Sequence, residues 1–68
     1  MSHSPQARMA NEIAVQFHHR PAPEAAETIA SHLRRFWAPA MVRQLIENAD
    51  SGAVELDPLV VEAVELLR

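Results

Sequence analysis

The chain has no cysteine, no lysine, no tyrosine and a single glycine. Without cysteine there is no disulfide, no thiolate zinc site and no cysteine-ligated iron–sulfur cluster. With Gly52 alone, no glycine-rich loop can cradle a phosphate or a dinucleotide. Positive charge is also scarce: six arginines face nine acidic residues, for a net charge of −3. General nucleic-acid binding needs the opposite balance. No apolar run approaches the roughly 18 residues of a membrane span, and MSHSPQARMANE at the N-terminus lacks the apolar core of a secretory signal. A soluble, cytoplasmic protein is expected. The use of arginine for every basic residue fits a GC-rich bacterial genome as well as it fits any function.

What remains is 68 residues, enough for one domain. A chain this short buries only about 60% of its unfolded surface, so its stability is marginal. Apolar residues make up 49% of it, but many are alanine, and Phe17, Phe36 and Trp37 are the only aromatics. Such a domain gains more than most from docking on a larger partner.

The apolar spacing is helical throughout, and no strand-like alternation extends beyond a few residues. Residues 1–7 (MSHSPQA) are polar and aperiodic and read as a flexible tail, leaving 8–68 as the helical domain. Met9, Ile13 and Phe17 recur every four residues. Pro21 should end that helix by disfavouring helical geometry at Arg20, with His18 and His19 in its last turn, where positive charge suits the helix dipole. Pro23 can open a second helix, with Glu24 and Glu27 near its start. Ile29, Leu33, Phe36 and Trp37 then form its apolar face. Pro39 should force a sharp turn at Ala38. A third helix spans about Pro39 to Ala49 on Met41, Val42, Leu45 and Ile46, and Gly52 supplies a left-handed stop. Asp57-Pro58 marks the last start, a capping carboxylate before proline. Leu59, Val60, Ala63, Val64 and Leu67 line the fourth helix, with a hydrophobic staple expected between Leu56 and Val61. The fold class is all-α, a small single domain of three to four short helices.

The residues that carry chemistry elsewhere are poorly arranged here. His18 and His19 are adjacent and so point about 100° apart on a helix. His32 lies on another helix, His3 is in the tail, and no H-x-x-x-H pair or carboxylate–histidine motif of the di-iron type exists. Ser2, Ser4, Ser31, Ser51 and Thr28 occupy no recognisable nucleophile context. No catalytic, cofactor-binding or metal site is expected. HLRRFWAP at 32–39 is different, because tryptophan and arginine are the types most enriched at binding hot spots. Adjacent helical residues diverge by about 100°, so one ring can face the core and the other the flank. Phe36 is expected inside. Trp37, with Arg34, Arg35 and Arg43, is expected to form a partner-binding surface.

These residues also carry a family likeness. Met9-Ala10-Asn11 with Ile13, Ala14 and Phe17, then Ile29-Ala30, His32-Leu33-Arg34, Phe36-Trp37, Pro39, Met41 and Leu45, and finally Gly52, Leu56, Pro58-Leu59-Val60 and Glu62-Ala63 resemble the delta subunit of cytosolic, NAD-dependent, molybdenum- or tungsten-containing formate dehydrogenase. H-L-R-x-F-W-x-P-x-M followed by L-x-P-L-V is fairly specific for so short a chain. The resemblance implies an accessory subunit that binds no redox centre itself. In such a complex, formate is oxidised at a bis-pyranopterin Mo or W centre in the large alpha subunit. Electrons then pass through iron–sulfur clusters to FMN and NAD in other subunits. The implied role is docking on the alpha subunit to support assembly, stability or cofactor maturation. Ala38 departs from the family pattern where an acidic residue is expected, and Ala40 where a basic one is common. One glycine also replaces a frequent pair. Two other readings are a free-standing assembly chaperone that binds the large subunit transiently and a small helical homo-oligomer.

Overall fold

The computed structural model describes residues 4–52 and 54–68, which form four helices: α1 (Pro5–Val15), α2 (Ala22–Phe36), α3 (Pro39–Ser51) and α4 (Pro58–Leu67). The all-α class expected from the spacing is what the chain adopts. Proline stands in the first turn of every helix, where its missing N–H costs nothing and its fixed φ suits the helix.

The caps differ in quality. Asp57 caps α4, its carboxylate accepting the Leu59 N–H at 2.9 Å. Ser4 caps α1 in the same way, its hydroxyl oxygen accepting the Ala7 N–H at 3.2 Å. The first helix therefore starts at Pro5, inside the expected tail; the remainder of that tail, residues 1–3, lies outside the described residues. Ala38 offers α3 no side-chain cap, as its methyl group dictates. Gly52 ends α3 at φ 67°, the left-handed conformation that glycine adopts without strain.

Two features of the first helix differ from its apolar spacing. Its buried face is Ala7, Ala10 and Ala14, while Met9 is exposed and Ile13 and Phe17 are half-buried. Small residues let the helix backbone approach its neighbours closely, which the larger side chains would prevent. The helix also stops at Val15, short of Pro21. Gln16, Phe17 and His18 donate backbone N–H groups to Ile13, Ala14 and Val15, the tighter i to i−3 pattern. His18 and His19 consequently lie beyond the helix and not in its last turn.

α2 and α4 make the largest pairing in the fold. Arg34, near the end of α2, donates to the Leu66 carbonyl near the end of α4. His18, ahead of α2, meets Asp57, the residue before α4. These contacts set the two helices side by side in the same direction. Between them lie Ile29, Leu33, Val60 and Val64, all fully buried, with Leu45 joining from α3. Of the thirteen buried apolar residues described, seven are alanine. Alanine loses no rotamer freedom on burial, but it contributes little apolar area. The core is tight and thin.

Running α4 parallel to α2 requires the chain to return along the molecule after Gly52. The segment leading into α4 is held by Asn11 of α1, whose side-chain nitrogen donates to the Glu55 carbonyl at 3.0 Å and whose oxygen accepts the Asp57 N–H at 2.8 Å. Leu56, between these anchors, packs against the core. Val61 stays 45% exposed, so little of its apolar surface is spent on the expected staple.

Candidate docking surface

The end of α2 and the start of α3 meet at a corner built by Trp37, Ala38 and Pro39. Pro39 keeps Ala38 extended, at φ −63° and ψ 146°, and the extended conformation reaches back to Trp37, at φ −92° and ψ 144°. Trp37 thus leaves the helix after its N–H has bonded to the Leu33 carbonyl at 3.0 Å. Its ring is half-buried and packs against the core. Phe36, the last helical residue, keeps its helical direction and is 68% exposed. This inverts the expected division between the two rings: Phe36 is the outward aromatic, and Trp37 is a core neighbour. The reason is backbone geometry, since the 100° offset assumed for consecutive helical residues does not apply to a residue outside the helix.

Phe36 does not stand alone. The His32 ring, one turn earlier, lies 4.9 Å from it, centroid to centroid, tilted by 40°. The Arg35 guanidinium sits 5.7 Å from the same ring, within range for a cation–π contact. An open groove of about 400 Å³ runs along the solvent face of α2 beside Phe36, with Glu27, Thr28 and Ser31 on its wall. Arg43 is exposed on α3, with no hydrogen bond or ion pair to any described residue. Arg34 is engaged within the fold through its bond to Leu66, where it satisfies a carbonyl at the end of α4. Of the four residues expected to form a partner surface, Arg35 and Arg43 make no ion pair with a described residue, Arg35 lying instead against the Phe36 ring. Arg34 and Trp37 are tied to the domain.

Charge is segregated along the chain. Residues 28–46 contain Arg34, Arg35 and Arg43 and no Asp or Glu, a formal charge of +3; the whole chain carries −3, so the remaining residues carry −6. The stretch that builds the corner is therefore basic in sequence, with Glu27 the carboxylate on the groove wall beside Phe36.

Other polar groups have structural work. His18 Nε2 lies 2.6 Å from Asp57 Oδ2 and tethers the α1–α2 turn to the cap of α4. Asn48, the one buried polar side chain described, donates to the Ser4 hydroxyl and supports the cap of α1. Arg68 bonds to Asp50 and Glu65. The Arg68 hydrogen bond holds the Asp50 carboxyl below its ordinary pKa, and both carboxylates raise that of Arg68. Among the described residues, no group of three or more His, Asp or Glu side chains is placed to hold a metal ion. With no cysteine, the chain has no thiolate to ligate an iron–sulfur cluster.

A model of the NADH-dependent formate dehydrogenase delta subunit family, FdsD, matches residues 7–64. The chain belongs to this family. No curated protein and no solved structure matches it. The FdsD match covers α2, α3 and the corner between them in full, so the aromatic–arginine cap falls within the family's domain. As an FdsD member the chain is a subunit of a formate dehydrogenase complex, and no helix among its described residues is long and apolar enough to cross a membrane.

His32 and Asn11 were not singled out by sequence reasoning as interaction or anchoring residues. The signal for His32 was its i to i+4 spacing from Phe36, which places the two rings one turn apart. For Asn48 it was a polar residue three positions after Leu45 on an otherwise apolar stripe. Asn11 gave no local signal, because its partners are more than forty residues away.

Proposed function

We propose that this chain is a non-catalytic accessory subunit of NAD-dependent formate dehydrogenase that docks on the large catalytic subunit and supports assembly, stability or cofactor maturation. The observation that carries this reading is the α2–α3 corner: an exposed phenylalanine with the Arg35 guanidinium beside it, and Arg43 exposed on the following helix, neither arginine paired with a carboxylate among the described residues. A thin, alanine-rich core adds support, since such a domain gains stability from burial against a larger surface. On this reading the bis-pyranopterin Mo or W centre, the iron–sulfur clusters, FMN and NAD are all held by other subunits. This chain supplies contact surface alone.

The test is affinity purification of a tagged copy from its native host, with mass spectrometry of the co-eluting proteins. Stoichiometric recovery of a large molybdopterin subunit is the expected result. Active enzyme purified with full occupancy of its other subunits and none of this chain would reject a stable accessory role and favour a transient chaperone.

A further inference from the structure

We infer that the α2–α3 corner recognises a compact acidic protein surface, with Phe36 entering an apolar pocket whose rim carries carboxylates that pair with Arg35 and Arg43. The inference rests on the docking reading and specifies its partner chemistry. Three observations on this corner lead to it.

The first is the charge distribution. A +3 stretch on a body of −6 orients the molecule in an electric field. An acidic patch attracts the arginines of this stretch and repels the more numerous carboxylates elsewhere in the chain, which favours encounters through the corner. Compactness of the patch matters, because interactions fade beyond about 8 Å at physiological salt. A long polyanion such as nucleic acid would lie over the acidic body as well and be repelled there. A local acidic patch would not.

The second is the preparation of Phe36. Its ring already lies beside His32 and within cation–π range of Arg35, so part of the rotamer freedom lost on burial is restricted beforehand. An aromatic anchor with a cation at its edge is an arrangement in which a pocket can exclude water from the pair beside it. The third is the choice of arginine. A guanidinium presents a planar fork that matches a carboxylate at two points, and Arg35 and Arg43 both carry theirs free of any carboxylate among the described residues.

The experiment uses the full-length chain and the remaining formate dehydrogenase subunits purified without it. Association is measured at low and at high ionic strength for wild type, Phe36→Ala and the double variant Arg35→Glu/Arg43→Glu, with helicity checked by circular dichroism. Phe36→Ala is expected to weaken binding by roughly thirtyfold, the scale of an interface hot spot, at both ionic strengths. The charge reversal is expected to weaken it strongly at low salt and less at high salt. Failure of wild type itself to bind would reject the docking reading. Wild-type binding with both variants unchanged would leave docking intact and overturn this inference. A second copy is the competing occupant, because its acidic body also complements the corner. Concentration-dependent self-association that Phe36→Ala abolishes, while binding to the other subunits persists, would assign the corner to that copy and overturn the inference.

Discussion

Asn11→Ala tests the account of how α4 is placed. Asn11 makes two hydrogen bonds across more than forty residues, to the Glu55 carbonyl at 3.0 Å and from the Asp57 N–H at 2.8 Å. Each is worth about 1 kcal/mol net, so the truncation removes about 2 kcal/mol. Alanine is the better helix former within α1 and returns about 0.5 kcal/mol. The expected net loss is about 1.5 kcal/mol. For a domain of this size, 1 kcal/mol lowers Tm by about 4–8 °C, so thermal melting followed by far-UV circular dichroism should show a drop of about 6–12 °C. Asn11→Asp should be no better than alanine. Its carboxylate cannot donate to the Glu55 carbonyl, and it adds negative charge beside the Asp57 carboxylate. An Asn11→Ala melt within 2 °C of wild type would refute the reasoning, because the return segment would then hold its path without this clamp.

Gly52→Ala should cost about 1–2 kcal/mol through backbone strain alone, since φ is 67° and nothing lies within 4 Å of an added Cβ; denaturant unfolding reads this directly. Ala38→Asp should stabilise the domain by about 1 kcal/mol by capping α3, visible as a higher Tm. Trp37→Ala should destabilise by about 2–3 kcal/mol because the ring packs on the core, whereas Phe36→Ala should leave the melt nearly unchanged; equal effects in calorimetry would contradict the inverted roles of the rings. Arg68 lowers the Asp50 pKa in the folded state, so its contribution is present above the ordinary carboxylate value of 3.8 and is lost as pH falls through the lower folded value. The stability difference between wild type and Arg68→Gln should therefore narrow in acid, as checked by melts across that range, and the pair's contribution should also shrink with salt.

Much of the helix pattern was legible because proline and glycine punctuate it. Pro39, Asp57-Pro58 and Gly52 mark boundaries that the structure adopts. Ser4-Pro5 is the same cap-then-proline signal as Asp57-Pro58, but Gln6, Ala7 and Arg8 separate it from the first large apolar residue, Met9, so periodicity alone places the start of α1 too late. The face of α1 was misread because periodicity weighs large side chains, while close helix packing selected the alanines. The corner was legible in composition and not in orientation. Which ring turned outward depended on a two-residue extended conformation imposed by Pro39, and helical spacing ends where that conformation begins. Arg34 looked like a free cation at the end of its own helix. Its partner is the carbonyl of Leu66 on α4, and only the parallel placement of α2 and α4 brings the two together. Long-range polar contacts of this kind leave no trace in local sequence.

On the proposed reading, this FdsD-family chain docks on the large formate dehydrogenase subunit through Phe36 and the neighbouring Arg35. Quantitative mass spectrometry of the complex, purified through a tag on the large subunit from cells carrying either wild type or Phe36→Ala, tests it most directly. Near-stoichiometric recovery of the wild-type chain is expected, with strongly reduced recovery of the variant and unchanged helicity of the isolated variant. Equal recovery of the two chains would contradict this reading.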